Sequence, residues 1–571
     1  MDTDSEKEDM EAQGGAPYGY PTSCPISPEP EDFLELAPHR PMPRRAMESF
    51  ENLVALANYQ ERLKGARKVI WRDKGQPVVQ LKTLRDCVEH ASTGGFRAAT
   101  LAFNIRASLN LVLALIRIRK VPRDDRLTLI RHAVFGADSL RFAAMLGTFA
   151  GLYKFLLNAL PILLPAIKPR EPSAFGDDDE EEDEEIELPA PGSAAPRHRQ
   201  RSARLSASAH AQMVLVRKRT RRWHAALAGA ISASLAILWE KRGRRVIIAQ
   251  QLFVRGMQGT YNSYSERHHF KIPFGSVIVF ALACGQIMYS FTMRPDTLPH
   301  SYINWIHTAS KVPRAGVQIN RAAVRNGEMD LAALDKIIAQ RDTTHKNLSL
   351  LMQLRDDVMA GRPFPLYAPC ATIHPAVSSC WTVPLDRFVD VFRWMLPIYS
   401  ALHFLPAILF RWKMFRADPG RVLVRAGAGS LRSSAFLGVF VVIYQANNCL
   451  RTKLWEKISR SPALRRLIPA ALANLLISKP VHWVLGFLSG LALLIEDERR
   501  RAELAMYVLP KGLESAWVAA RGRGLVFRTG NWGESVLTGM GMAMVMSIYQ
   551  NDPVHLSGLV RRILYQFIGP N

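Results

Sequence analysis

Three residues in the middle of the 571-residue chain have the side chains of a metal site. Cys370, His374 and Cys380 offer two thiolates and one imidazole, ligands that suit zinc, although a closed structural site needs four. Cys87 and His90 open the first half of the chain in a similar way and are candidates to complete it. A disulfide between Cys370 and Cys380, or a structural loop without metal, are the alternatives. The remaining cysteines are predicted to be isolated and reduced: Cys24, Cys284 and Cys449.

Three arginines, Arg106, Arg255 and Arg393, lie inside otherwise apolar stretches. A charge in the hydrocarbon layer of a membrane is costly, so such a side chain faces other helices or a wet cavity. These arginines are therefore predicted to make intramembrane polar contacts and, in a transporter, to contact an anionic substrate.

No set of catalytic residues stands out in the sequence. It contains no Gly-x-Ser-x-Gly, protein-kinase or His-Glu-x-x-His motif. Two glycine-rich stretches, 426–429 and 521–524, do not continue into the Gly-Lys-Ser/Thr of a phosphate-binding loop. The protein is therefore predicted not to be an enzyme and to need no cofactor.

The positive charge of the chain is placed beside its apolar segments. Lys and Arg total 74 against 50 Asp and Glu, a formal net charge of +24. Basic clusters at 117–131, 240–245 and 411–425 adjoin apolar stretches, as the loops flanking membrane helices do. Nucleic-acid binders combine a basic groove with aromatic platforms instead. The expected partner is the lipid bilayer, and no nucleic acid is expected.

Ten apolar segments with helical spacing occur in two clusters. A spanning helix needs about 20 apolar residues, and several of these segments are shorter. Their number and their basic loops favour an all-α fold, a polytopic membrane helix bundle. The segments lie at about 94–116, 139–167, 223–239, 246–262, 273–293, 388–410, 430–450, 481–495, 502–519 and 533–549.

The two clusters resemble each other. Ser139 to Tyr153 aligns without gaps with Ser430 to Tyr444, and eight of the fifteen positions are identical. This similarity predicts two tandem homologous repeats, 85–313 and 370–571, the second starting with the Cys/His residues. Shared helix composition is the alternative explanation.

The rest of the chain is predicted to lie outside the repeats or to interrupt them. Residues 1–45 form a polar tail, and 168–222 an insert with nine consecutive acids at 177–185; both are predicted to be disordered. Residues 46–84 have the periodicity of a soluble helical segment, and 314–369 that of an amphipathic helical connector.

Small residues recur on one face of several predicted helices. Small side chains let helix backbones approach closely, which stabilises helix pairs where lipid gives no hydrophobic drive. A pore or substrate path along the same faces is the alternative. The predicted packing residues are Ala143, Gly147, Gly151, Gly229 and Gly438.

The motifs that carry a family resemblance are Leu146–Tyr153, Leu437–Tyr444, His224–Gly229, Leu298–Tyr302 followed by Trp305, and Cys370–Pro375 with Cys380. They resemble the transmembrane protein 135 family, over roughly 85–313 and 365–571. The cysteine-rich pattern opens the second half here, whereas in that family it lies at the amino terminus. The helices also show a distant similarity to the mitochondrial preprotein-translocase channel family.

This resemblance implies a multi-pass membrane protein of peroxisomes or mitochondria, linked to lipid metabolism and organelle dynamics. It carries over no catalytic residues, and it leaves homo-oligomers or other organelle membrane proteins as partners. The alternative function is a channel or transporter for proteins or metabolites, built from the duplicated unit.

Membrane topology depends on how many segments in each half span the membrane. Five spans per half would make the second copy inverted relative to the first, as in inverted-repeat transporters. If 246–262 and 502–519 lie in the interface, four spans would make the copies parallel. The sequence favours five spans and inversion.

Overall fold

The computed structural model describes residues 81, 83–122, 124–164, 222–410 and 412–569. Helices account for 82% of these residues, and none of them is in a strand, which confirms the all-α prediction. The predictions for the tail 1–45, for the acidic run, and for nearly all of 46–84 and of the insert 168–222 lie outside the described residues.

The first part of the described chain contains seven α-helices. The first of them begins at a capping box, in which Thr83 and Asp86 exchange side-chain and backbone hydrogen bonds. The helices are α1 Leu84–Arg117, α2 Arg126–Phe135, α3 Ala137–Leu163, α4 Arg222–Ala236, α5 Arg242–Arg267, α6 Gly275–Met293 and α7 His300–Ser310.

A connector of four helices follows and leads to the second part. The connector comprises α8 Arg314–Asn326, α9 Leu331–Ile338, α10 His345–Met359 and α11 Cys370–Ile373. The second part comprises α12 Val383–Phe410, α13 Trp412–Ala417, α14 Pro419–Arg460, α15 Pro462–Leu467, α16 Ala470–Leu475, α17 Val481–Gly490, α18 Glu498–Gly522, α19 Gly533–Asn551 and α20 Gly558–Phe567.

Five stretches of helix are long and apolar enough to cross a membrane: Leu84–Arg117, Arg126–Leu163, Gly275–Met293, Val383–Ile408 and Pro419–Arg460. The other apolar segments of the sequence are helical too, but among the described residues they do not reach that length and hydropathy. These five helices agree with a multi-pass membrane protein. They coincide with five of the ten apolar segments predicted from the sequence.

α14 is much longer than a membrane is thick. Its 42 residues extend over about 63 Å at a rise of 1.5 Å per residue, whereas the hydrocarbon core of a bilayer is about 30 Å. The helix starts at the N-cap Asp418 and Pro419, and beyond Tyr444 its sequence turns polar. One end of α14 therefore extends out of the hydrocarbon layer and can carry polar sites.

The long helices pack into two bundles, and each bundle contains helices from both parts of the chain. We call α1, α3, α4, α19 and α20 the first bundle, because their side chains share one core. We call α12, α14, α17, α6 and α7 the second bundle; its core also takes in Ala505 of α18. The last two helices of each part thus pack in the bundle begun by the other part.

The connector has a small core of its own. Ile319 of α8, Leu334 and Ile337 of α9 and Leu351 of α10 are fully buried together. The apolar stripes on α9 and α10 are thus covered by neighbouring connector helices and by the Ala368–Ala371 segment. This small core fixes the position of the chain that enters the second bundle.

Candidate functional site

A cluster of three thiols and one imidazole lies where the connector meets α14, and we call it the Cys/His cluster. Cys370 begins α11, His374 follows that helix, Cys380 lies just before α12, and Cys449 belongs to α14. One potential ligand atom from each residue lies within 4.8 Å of all the others. The cluster therefore brings four metal-ligating side chains to one point.

The ring of His374 is held in one orientation. Its Nδ1 lies 2.8 Å from the carbonyl oxygen of Val377, to which the Nδ1 hydrogen is donated. Its Nε2 lies 3.5 Å from Cys380 Sγ, on the side of the cluster. A histidine that donates from one ring nitrogen to a carbonyl presents the other nitrogen as a metal ligand.

The loop that carries His374 is fastened from α10. The buried side-chain amide nitrogen of Asn347 lies 3.2, 2.8 and 3.0 Å from the carbonyl oxygens of His374, Pro375 and Val377. The Thr344 backbone N–H also donates to the Pro375 carbonyl, at 3.1 Å. These bonds position the imidazole without help from a ligand.

A glycine on α8 makes room for the turn between Cys370 and His374. A Cβ at Gly316 would collide with the backbone carbonyl of Thr372, and backbone cannot move aside as the end of a side chain can. Gly316 therefore allows the connector to support the cluster from this side as well.

The surroundings of the cluster favour thiolate at Cys380. Hydrogen bonds with the Cys370 and Cys449 thiols lower the pKa of Cys380, and the positive charge of Lys453 acts in the same direction. Cys370 Sγ also lies 3.5 Å from the buried hydroxyl of Thr452. Thiolate is the form that binds metal.

The prediction that Cys449 is isolated was wrong, and Cys87 and His90 do not complete the set. Cys449 lies far from Cys370 along the chain, so the sequence spacing gave no signal; the packing of α14 brings it there. His90 Nε2 instead lies 3.1 Å from Nζ of the buried Lys154, and Cys87 is buried in α1. Cys284 belongs to the core of the second bundle.

Two of the three candidate arginines are paired with carboxylates. Arg106 donates to Asp138 at 2.6 Å across the α1–α3 contact, and Arg244 also pairs with Asp138. Arg255 on α5 pairs with Glu503 on α18.

The third candidate, Arg393, lies on the exposed side of α12. The three arginines therefore do not converge on one anion site.

Sequence reasoning missed a corner that occurs twice. Before α5, Arg245 donates from Nε to the Glu240 carbonyl at 2.7 Å and from Nη2 to the Leu238 carbonyl at 2.6 Å. Before α18, Arg501 makes the same two bonds, to Glu496 at 3.0 Å and to Leu494 at 2.7 Å. The available signal was a glutamate four and five residues before two arginines, which occurs at both Glu240 and Glu496.

The predicted packing residues on α3 and α14 lie at helix contacts. A Cβ on Gly147 would come within 2.7 Å of Ala99 Cβ and 3.1 Å of the Gly95 carbonyl oxygen on α1. Gly151 also faces Gly95, and Ala143 is buried in the first core. On α14, a Cβ on Gly438 would come within 2.9 Å of the Phe388 ring on α12.

Gly229 on α4 and Gly486 on α17 make matching contacts with helices from the opposite part of the chain. A Cβ on Gly229 would lie 2.8 Å from the Met542 carbonyl oxygen and 2.9 Å from Met546 Cβ on α19. A Cβ on Gly486 would lie 2.7 Å from the Cys284 carbonyl oxygen and 2.7 Å from Met288 Cβ on α6.

A second pair of glycines, Gly256 and Gly512, behaves in the same way. A Cβ on Gly256 of α5 would come within 2.7 Å of the Gly541 carbonyl oxygen on α19. A Cβ on Gly512 of α18 would come within 3.0 Å of the Ala283 Cα on α6. The four glycines fix how the two parts of the chain fit together.

No protein-family model, curated protein or solved structure matches this chain.

Proposed function

We propose that this protein is a non-enzymatic, multi-pass organelle membrane protein built from two copies of one helical unit that exchange their last helices. The observation that carries the proposal is the matching pair of glycine contacts, Gly229 against α19 and Gly486 against α6. In each contact the glycine faces a carbonyl oxygen and, four residues further on, a methionine Cβ of the exchanged helix. We would not expect this match in two unrelated bundles.

The repeated corner supports the duplication independently. Glu240 and Glu496 are both buried at 2% exposure. Each is followed by two arginines, of which the second, Arg245 or Arg501, donates to the carbonyl of that glutamate. The α1–α3 pair in the first bundle corresponds in order and partner to the α12–α14 pair in the second. The sequence alignment of 139–153 with 430–444 places Gly147 opposite Gly438.

The same contacts support packing as the role of the small residues. The face of α3 that bears Gly147 and Gly151 is covered by the backbone of α1, so a continuous substrate path along it would need these helices to separate. Arg106 and Arg255 are neutralised by carboxylates, which reduces their attraction for an anionic substrate. A structural membrane protein fits these features better than a channel.

The biological role follows from the resemblance to the transmembrane protein 135 family. We assign the protein to the peroxisomal or mitochondrial membrane, where it would support lipid metabolism and organelle dynamics. Imaging the tagged full chain against markers of both organelles tests the location, and a diffuse or plasma-membrane signal would contradict it.

Flux measurements in reconstituted vesicles separate this role from transport. We expect no protein-dependent flux of anionic metabolites for the wild-type chain. Flux that is lost in Arg255→Ala but kept in Arg267→Ala would favour the transporter instead. Arg267 is a suitable control because it lies on the same helix, is exposed and pairs with Asp552.

Labelling tests the orientation of the two units. Cysteines introduced at positions 122 and 419 are treated with a membrane-impermeant maleimide from one face, and the wild-type chain measures labelling of the native thiols. Inverted units label at one of the two positions only. Labelling of both positions from the same face would establish parallel units.

A further inference from the structure

We propose that Cys370, His374, Cys380 and Cys449 bind one zinc ion, which clamps the end of the connector to the polar end of α14. Three thiolates and one neutral imidazole surround the bound ion, and each cysteine that still carries its proton releases it to solvent on binding. This site is independent of the membrane role proposed above, and either can fail without the other.

The size of the cluster fits a single tetrahedral ion. Zn–S bonds of about 2.3 Å and Zn–N bonds of about 2.0 Å at tetrahedral angles separate the ligand atoms by about 3.5–3.8 Å. Cys380 Sγ and His374 Nε2 are already 3.5 Å apart, and all four ligand atoms lie within 4.8 Å. Only small side-chain rotations are needed to close the site on an ion.

The structure around the ligands holds them in place before metal binds. Val377 fixes the His374 ring, and Asn347 holds the carbonyl oxygens of His374 and of the residues that follow it. Cys449 comes from the middle of a regular helix turn, where Thr452 donates to its carbonyl at 2.8 Å. A preorganised site loses little conformational entropy on binding, which favours tight binding.

The ligand set selects zinc over the other candidates. A disulfide between two of the thiols would not involve the third thiol or the fixed imidazole, whereas a metal ion binds all four side chains. An iron–sulfur cluster spreads its ligands around two or more irons and bridging sulfides, and ligand atoms confined within 4.8 Å leave room for one ion. Three thiolates and an imidazole are a closed zinc set.

The role of this ion is structural. All four tetrahedral positions are filled by protein, so no position is open for water or substrate. The complex carries one negative charge, and Lys453 lies on the same end of α14 to compensate it. The ion joins the connector, the start of α12 and α14, and so fixes the angle at which the chain enters the second bundle.

Metal analysis of the full chain tests the proposal. The protein is purified in detergent with a histidine-free tag, and bound zinc is measured by mass spectrometry. We expect about one zinc per chain in the wild type and in the control Cys284→Ala. We expect loss of that zinc in Cys449→Ser and in His374→Ala. Cys284 is a suitable control because it is a buried free thiol outside the cluster.

Cobalt replacement keeps the test decisive if the variants fold poorly. The wild-type chain is stripped with a chelator and titrated with Co²⁺, and the absorption spectrum is recorded. We expect thiolate-to-cobalt charge-transfer bands and the visible bands of tetrahedral cobalt, both abolished by added zinc. A wild-type chain without zinc and without these bands, a folded Cys449→Ser that keeps full zinc, or a Cys370–Cys380 disulfide in the unreduced protein would each overturn the proposal.

Discussion

The corners before α5 and α18 have the same backbone bonds but different surroundings. At the first corner, Arg244 pairs with Asp138, which also binds Arg106. At the second, Arg500 donates to Ser433 at 2.9 Å and lies 2.7 Å from His403 Nε2. Both corners contain an ion pair between their glutamate and the first arginine, Glu240–Arg244 and Glu496–Arg500. They differ in the further partner of that arginine, which is the Asp138 carboxylate at the first corner and the Ser433 hydroxyl at the second. The turn and its internal ion pair are therefore what the two corners share.

The two bundles also differ on α3 and α14 beyond the aligned tyrosines Tyr153 and Tyr444. When Ser139 is aligned with Ser430, Asn158 stands at the position of Cys449. Asn158 donates to the Lys154 carbonyl at 2.8 Å, one turn back in its own helix. Cys449 instead belongs to the Cys/His cluster. Among the described residues, the candidate metal centre lies beside the second bundle, where the connector brings the other three ligands to α14.

The largest effect is expected where the two parts of the chain interlock. Gly256→Leu and Gly512→Leu should each destabilise the protein by about 3 kcal/mol, because the new side chain would meet helix backbone. Thermal unfolding in detergent measures the loss. Gly243→Leu on α5 is the control, since a Cβ there meets nothing within 4 Å. A loss of stability at only one of the two glycines would contradict the proposed equivalence of the two bundles.

A smaller and unequal effect is expected inside the bundles. Gly147→Leu should cost about 2 kcal/mol and Gly438→Leu about 1 kcal/mol. The difference arises because Gly147 faces backbone and Ala99, whereas Gly438 faces mainly the Phe388 ring, which can turn aside. The same unfolding measurement checks the order, and unchanged stability of Gly147→Leu would contradict close packing at this site.

Loss of the Asp138 carboxylate at the first corner should cost more stability than loss of the Ser433 hydroxyl at the second. Asp138→Asn removes the partner of Arg106 and Arg244 and should cost about 1 kcal/mol, a modest value because solvent screens partly exposed pairs. Ser433→Ala, which removes one bond to Arg500, should cost less. High salt should narrow the difference between the two variants. If Asp138→Asn lost the same stability at low and at high salt, an ionic origin of the effect would be contradicted.

The smallest effect is expected from placing a thiol in the first bundle. Asn158→Cys should leave the zinc content of the purified chain unchanged. Together with Cys87 and His90 at the start of α1, the new thiol would still fall short of the four ligands of a closed zinc site. Metal analysis beside the wild type measures it. An extra zinc ion in this variant would show that the first bundle also has a latent site.

Much of the fold could be predicted from the sequence because helices depend on local pattern. The spacing of apolar residues predicted helices at 139–167 and 430–450, where α3 and α14 lie. The number of membrane crossings was less certain, because segments such as 246–262 contain charges whose partners are not visible locally. Glu503, the partner of Arg255, lies on another helix far along the chain.

The candidate site, too, could be predicted only in part from the sequence. Cys370, His374 and Cys380 are close in sequence, so their chemistry and spacing indicated a metal or a disulfide without any structure. The fourth residue, Cys449, could not be found, because a helix interior gives no sign of which distant loop will cover it.

The sequence by itself thus determined the helices, the basic loops beside them and three of four clustered ligands, all of which depend on residues near one another in the chain. Only the packing of the folded chain decided which helices lie in which bundle, which carboxylates pair with Arg106 and Arg255, and which cysteine completes the Cys/His cluster. These outcomes depend on packing between distant segments, where a single glycine or a helix register sets which side chains meet.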